Sequence, residues 1–154
     1  MIKGTDVTLL SQDNAEIIAN FGLQDGEFRL AVDGNAVYAL IFRPMSWQEA
    51  EGLAGKLPGR GWHLASIHSK EEHYYVCSLA ATYGIGCFWI GFTDRAQEGT
   101  FVWSDGSPVN FTAWHPDEPN EHNGEDYTVC ITADRDWNDY RGDVPMPSLL
   151  KRSR

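Results

Sequence analysis

The sequence predicts an α+β domain, because short strand patterns at both ends of the chain flank two helical segments and a long polar loop. The chain has 154 residues, which is the size of one domain, and residues 28–154 carry the clear patterns. Residues 1–27 are mostly polar with weak periodicity, so we interpret them as an N-terminal extension whose role the sequence does not reveal.

The first strands form a predicted β-hairpin. Two apolar runs, 27–32 and 37–42, are separated by Asp33-Gly34-Asn35, and this spacing is typical of a tight turn between antiparallel strands. Small antiparallel sheets are therefore expected.

Capping boxes mark the start of both predicted helices. The segments 46–49 (Ser-Trp-Gln-Glu) and 69–72 (Ser-Lys-Glu-Glu) each place a hydroxyl three residues before a carboxylate, so that each side chain satisfies a backbone donor of the other residue. The first helix should end before Pro58, and the second should stop at Gly84.

Short strands and turns return after the second helix. The predicted strands are 88–92, 101–103, 127–131 and 137–139. Between them, residues 107–124 show no periodicity and are rich in Pro, Asn, Asp and His. A structureless stretch of this length in a small domain is usually functional or disordered.

The charge of the chain excludes some partners. The net charge is −10, and residues 94–143 alone carry 12 acidic side chains against three Arg. Nucleic acid is therefore not an expected partner, since its binding needs a basic surface. The acidic window is interpreted either as a solvated surface or as ligands for hard cations. No apolar run is long enough for a membrane span, and Met1–Asn20 shows no signal-peptide pattern.

The three Cys residues lack the spacing of a zinc site, and we expect buried or incidental thiols. A Cys87–Cys130 bridge stays open at this point.

Side-chain oxygens concentrate in and just after the long loop. Glu118 and Asn120 flank Pro119, and they are followed by 125–126 (Glu-Asp) and 138–139 (Asn-Asp). These oxygens are ligands of the type that Ca²⁺ accepts, and soft ligands are absent. A cis bond before Pro119 would turn the flanking side chains toward one point.

The order of landmarks along residues 28–154 resembles a C-type lectin domain. The landmarks are Ser46-Trp47, His63-Leu64-Ala65-Ser66-Ile67, Trp89-Ile90-Gly91, Trp103-Ser104-Asp105-Gly106, Glu118-Pro119-Asn120, Gly124-Glu125-Asp126 and Trp137-Asn138-Asp139. The resemblance implies a C-type lectin-like fold with two helices and a long calcium-binding loop. It also implies a principal Ca²⁺ held by Glu118, Asn120, Glu125, Asn138 and Asp139.

The same resemblance assigns further roles. Sugar hydroxyls would contact Glu118, Asn120, Glu125 and Asn138, and an auxiliary Ca²⁺ would be bound, together with Glu125, by Asp94, Glu98, Glu121 and Asp126. In that family the Glu-Pro-Asn triplet accompanies mannose-type glycans: mannose, glucose, N-acetylglucosamine and fucose. Galactose binders carry Gln-Pro-Asp.

The resemblance also shows what this chain lacks. The family's two usual disulfides are absent, since Ala54 and Tyr127 occupy two of the Cys positions, Met146 a third, and no Cys follows Cys130. A bacterial origin is therefore plausible, although calcium use points to an extracellular or cell-surface location.

Three functions follow as hypotheses from the sequence. The first is a calcium-dependent carbohydrate-binding protein without catalysis, and an oligomer is compatible with it. The alternative is a protein-binding C-type-lectin-like domain with a structural calcium site. An enzyme is the least favoured, because no Ser-His-Asp or Cys-His signature is present and carboxylates that hold a cation are poor general acids.

Overall fold

The computed structural model describes residues 4–24, 26–57, 61–120 and 124–153. Within this part of the chain there are three α-helices and eight β-strands. The helices are α1 Gly4–Phe21, α2 Trp47–Ala54 and α3 Lys70–Thr82. The strands are β1 Phe28–Asp33, β2 Ala36–Met45, β3 His63–Leu64, β4 Cys87–Thr93, β5 Val102–Trp103, β6 Tyr127–Ile131, β7 Asp136–Tyr140 and β8 Met146–Ser153. The predicted α+β class is confirmed.

All eight strands belong to one hydrogen-bonded sheet, so the expectation of small separate antiparallel sheets was wrong. The main path runs β1-β2-β8-β4-β6-β7, with β3 on β8 and β5 on β4. Strand β8 joins the two halves, because it pairs antiparallel with β2 and meets β4 in a parallel contact at Trp89 and Ser148. Strand β8 was not predicted from the sequence, because Pro145 and Pro147 obscure its alternating pattern.

The predicted hairpin is confirmed, with Asp33 opposite Ala36 and Gly34 at a φ of 59° in the turn. The first capping box is also confirmed at Ser46 and Glu49. The second is only half formed. Ser69 accepts from the backbone N–H of Glu72, whereas the Glu72 carboxylate accepts from His68 N at 2.7 Å instead of from Ser69 N.

Helix α1 is a third helix that the sequence did not predict. Its residues Ile17 and Phe21 are buried in the core, and Asp13 is fully buried. The Asp13 carboxylate accepts two hydrogen bonds from the Arg152 guanidinium, at 2.6 and 3.1 Å. A buried acidic residue on the packed face of α1 interrupts its apolar periodicity, which explains why the sequence pattern was weak. The boundary between residues 1–27 and 28–154 stays a prediction.

All three thiols are free, so the Cys87–Cys130 bridge is not formed. Cys87 pairs with Ile131 across the sheet, and the Cys87 Sγ contacts Met146 Sδ at 3.9 Å. At a position where the family carries a bridging Cys, Tyr127 instead stacks on Trp47 with ring centroids 4.7 Å apart.

Strand β4 is the centre of the core beneath the long loop. Trp89 and Ile90 are fully buried, and the Trp47 indole donates to Ile90 O at 2.9 Å. Gly91 cannot carry a side chain, because a Cβ there would lie 2.5 Å from Leu64 O and 2.8 Å from Ser104 Oγ. Close backbone approach thus requires glycine at position 91. No helix among the described residues is long and apolar enough to cross a membrane.

Candidate metal centre

The long loop leaves the sheet after β5 and is held against β7 before it reaches its acidic tip. Trp137 N donates to Ala113 O and His115 N donates to Trp137 O, each at 2.8 Å. These two hydrogen bonds hold the loop against Trp137, which is the residue before Asn138 on strand β7. The loop segment that follows is therefore positioned over the end of β7 where the predicted ligands lie.

Glu118 and Asn120 face one another at the loop tip. The Glu118–Pro119 peptide bond is cis. The Asn120 side-chain amide donates to Glu118 Oε1 at 2.9 Å, and the Asn120 backbone N–H donates to Asp139 Oδ1 at 3.2 Å. Loop and strand β7 thus converge on one group of oxygens.

The carboxylates of this group repel one another. The pKa of Glu118 is raised from 4.5 to about 7, first by burial, then by a hydrogen bond and charge repulsion with Asp139, and also by the charge of Glu125. Asp139 is fully buried on β7. A raised carboxylate pKa means that the surroundings disfavour the negative charge, and a bound cation would reverse this.

Asn138 supplies a second sign that a ligand fits here. Its Oδ1 is buried and has no hydrogen-bond partner among the residues described. A buried amide oxygen without a partner is costly, and a cation or an ordered water satisfies it. With the carboxylates of Glu118, Glu125 and Asp139, the donor set consists of oxygens, as Ca²⁺ requires. The residues fit the predicted principal calcium.

The predicted auxiliary site is also largely assembled. Carboxylate oxygens of Asp94, Glu98 and Asp126 lie within 4.8 Å of one another. The backbone holds them there, since Asp94 N donates to Asp126 O at 3.2 Å and Gly99 N donates to Asp94 Oδ2 at 2.9 Å. Burial and the charge of Asp94 raise the pKa of Asp126. The fourth predicted residue, Glu121, lies outside the described residues.

A cluster of polar side chains around Asp105 was not predicted from the sequence. The hydroxyls of Ser66 and Ser107 both donate to the Asp105 carboxylate, at 2.5 Å each. His68 Nε2 lies 3.1 Å from the Ser66 oxygen and 3.0 Å from the Ser107 oxygen. Nothing in the spacing of these residues along the chain indicates that they meet.

A second unpredicted contact lies beside the loop. His115 Nδ1 lies 2.5 Å from Asp136 Oδ2 on the exposed surface, and this contact raises the pKa of His115. His115 and Asp136 are 21 positions apart in the chain, and nothing in the sequence indicates that they meet.

The chain is similar to known proteins in sequence and in fold. Residues 43–149 match the sequence profile of a family described as Lectin C-type domain. The chain is 40% identical over 111 residues to the Type-2 ice-structuring protein of Hemitripterus americanus, covering 70% of this chain and 60% of that protein. It is 36% identical over 120 residues to echinoidin of Heliocidaris crassispina, covering 69% of this chain and 81% of echinoidin.

Among solved structures, an EPNH mutant of CEL-I superposes with a TM-score of 0.74 at 29% identity, covering 80% of this chain and 94% of that one. CEL-I is a C-type lectin from Cucumaria echinata. The chain spans less than two thirds of the ice-structuring protein's length. Because the family profile covers most of the chain, from strand β2 to strand β8, this protein belongs to the C-type lectin domain family.

Proposed function

We propose that this protein is a calcium-dependent carbohydrate-binding domain that recognises vicinal equatorial 3- and 4-hydroxyls of mannose-type sugars. The observation that carries the proposal is the convergence of Glu118, Asn120 and Asp139 on one group of oxygens. The Oδ1 of Asn138, the residue before Asp139, is in addition buried without a partner among the described residues. The expected calcium dissociation constant is roughly 10⁻⁴–10⁻³ M, the range of extracellular modules.

The chemistry of a sugar diol matches this arrangement. Ca²⁺ takes six to eight oxygen ligands, so five protein residues leave room for two sugar hydroxyls. Each hydroxyl that binds the ion can donate its proton to a carboxylate and accept a hydrogen bond from an amide NH₂. Glu118 and Asn120 form one such carboxylate–amide pair, since Asn120 Nδ2 lies 2.9 Å from Glu118 Oε1. Glu125 and Asn138 are the second proposed pair.

The relatives support carbohydrate binding as a class. The superposed CEL-I structure is a C-type lectin that carries an EPNH mutation, and this chain has Glu-Pro-Asn at 118–120. The mannose-type preference rests on that triplet and on the resemblance described above.

We also propose that the domain has no catalytic activity of its own. In the Ser66, His68, Asp105 and Ser107 cluster, both hydroxyl protons point to Asp105. Neither serine therefore gives its proton to the imidazole, as an activated nucleophile must. The loop carboxylates serve a cation in this proposal and would stay ionised, which suits them poorly to general acid catalysis.

A glycan array, probed in millimolar Ca²⁺ and again in EDTA, tests the proposal. We expect retention on mannose, glucose, N-acetylglucosamine or fucose ligands in Ca²⁺, and complete release in EDTA. Binding that survives EDTA would contradict the proposal. Calcium binding without any glycan signal would favour the alternative, a protein-binding domain with a structural ion.

A double variant tests the proposed sugar specificity separately from calcium binding. The double exchange Glu118→Gln with Asn120→Asp keeps the number of oxygen ligands and the net charge, but reverses the order of acceptor and donor around the ion. We expect it to move preference from mannose toward galactose on the same array. An unchanged mannose preference would mean that these two residues do not select the sugar.

A further inference from the structure

Two buried thiols lie side by side in the core, away from the metal centre. Cys77 is on helix α3 and Cys130 is on strand β6, 53 positions apart in the chain. Their Sγ atoms are separated by 3.6 Å, and the residues are 2% and 0% exposed. The third cysteine, Cys87, contacts Met146 instead.

The nearby His73 raises the question of whether the cluster binds a metal. His73 Nε2 lies 3.9 Å from the Cys77 Sγ, so the three side chains could in principle share an ion. However, the Trp137 indole N–H can only donate, and it points at His73 Nδ1 at 3.3 Å. The imidazole proton is therefore on Nε2, where it donates to Arg135 O at 2.7 Å. Neither nitrogen of this neutral ring has a lone pair available for a cation.

We propose that Cys77 and Cys130 are an oxidisable dithiol, which a peroxide converts to an intramolecular disulfide that links helix α3 to strand β6. The Cys77 thiolate attacks one peroxide oxygen, forming a sulfenic acid and releasing hydroxide, which takes up a proton to become water. The Cys130 sulfur then attacks the sulfenic sulfur, the S–S bond forms, and a second water leaves. Overall, two thiols and one hydrogen peroxide give one disulfide and two waters.

The surroundings favour Cys77 as the attacking sulfur. Its hydrogen bond with Cys130 lowers the pKa of Cys77. The same contact raises the pKa of Cys130. The thiolate is the reactive form, so peroxide reacts first at Cys77, and Cys130 is the adjacent resolving thiol. Closing 3.6 Å to a bond of about 2.05 Å requires only a short side-chain movement.

The location of the pair gives the bridge a structural consequence. Cys130 pairs with Trp137 on β7, the residue before Asn138, and β6 begins directly after Asp126. A disulfide would therefore anchor the strand beneath the calcium loop to helix α3. Closing a loop of this length restricts the unfolded chain, and we expect the melting temperature to rise by about 10 °C.

The test uses the full chain carrying Cys87→Ala, which leaves only the two proposed cysteines. The reduced protein is treated with hydrogen peroxide, denatured, and alkylated with N-ethylmaleimide before intact mass spectrometry. We expect a loss of two hydrogens, no alkylation, and recovery of both alkylation sites after reduction. The oxidised protein should also melt about 10 °C higher than the reduced one.

Wild-type protein and a Cys87→Ala, Cys130→Ala double variant are the controls. Wild type should retain one alkylated thiol after peroxide, and the double variant should show no rise in melting temperature. Two alkylated thiols in peroxide-treated Cys87→Ala protein, or a sulfinic acid at Cys77 beside a free Cys130, would overturn the proposal. So would one equivalent of zinc that co-purifies with the chain and protects both thiols from alkylation.

Discussion

Replacing Glu118 by Gln should stabilise the ion-free protein and weaken its binding of Ca²⁺. The pKa of Glu118 is raised from 4.5 to about 7 by burial and by Asp139, so at pH 8 the ion-free protein carries a carboxylate in surroundings that disfavour its charge. A full conversion at 1.36 kcal/mol per pKa unit would overstate the effect, because Glu118 is only partly buried. After solvent screening we expect a gain of about 1 kcal/mol, or roughly 2–4 °C in Tm.

The pH dependence of this gain has a definite sign. Between pH 4.5 and about 7, the folded ion-free protein holds a proton on Glu118 that the unfolded chain releases. Its free energy of unfolding therefore falls as the pH rises through this window, and this contribution is constant above it. Gln does not titrate, so the free energy of unfolding of the variant should lack this part of the pH dependence. In the presence of Ca²⁺ we expect the wild type to be more stable than the variant, because the variant has lost one charged ligand of the ion.

Differential scanning calorimetry in EDTA and in millimolar Ca²⁺, from pH 4.5 to 8, measures both effects. The control is Glu71→Gln, at the exposed start of helix α3, which should leave the slope and the calcium shift nearly unchanged. The reasoning is refuted if Glu118→Gln matches wild type in EDTA at every pH, or if its melting temperature rises as much as that of wild type when Ca²⁺ is added.

Three further substitutions test separate parts of the structure. Asn138→Asp keeps an oxygen for the cation but removes the NH₂ donor, so calorimetry should show retained Ca²⁺ and a sugar affinity lower by about one to two orders of magnitude. Asp13→Leu leaves the Arg152 guanidinium buried without its partner, and chemical denaturation should show a loss of about 3–5 kcal/mol, most of which the added change Arg152→Met restores. Asp94→Ala should reduce the calcium stoichiometry from two ions to one while mannose binding persists; loss of both ions would mean that the sites are not separable.

The elements with strong local signals could be predicted from the sequence. The hairpin turn at Gly34, the capping box at Ser46 and strand β6 all appear where local chemistry requires them. The concentration of carboxylates and amides in and after the aperiodic loop could also be located from the sequence, and the role of these side chains as calcium ligands stays a prediction. Their assembly around Asp139 depends on tertiary packing, which spacing alone does not give.

The features that could not be predicted all depend on contacts between residues that are far apart in the sequence. Helix α1 buries Asp13 only because Arg152 lies opposite, and neither residue reveals the other in the sequence. Strand β8 is central because β2, β3 and β4 all pair with it, although its own pattern is weak. The Cys77–Cys130 contact likewise joins a helix to a strand 53 positions away. The topology of the fold determines which of these residues meet, whereas local sequence patterns determine only the individual helices and strands.

Isothermal titration calorimetry with methyl α-mannoside tests the central claim most directly. We predict saturable heat at one sugar per chain in millimolar Ca²⁺, no heat after EDTA, and recovery when Ca²⁺ is restored. Asp139→Ala, which removes a fully buried carboxylate from the centre of the group, should give no heat from either calcium at the principal site or sugar. Equal sugar binding in EDTA, or sugar binding by Asp139→Ala equal to that of wild type, would contradict the account.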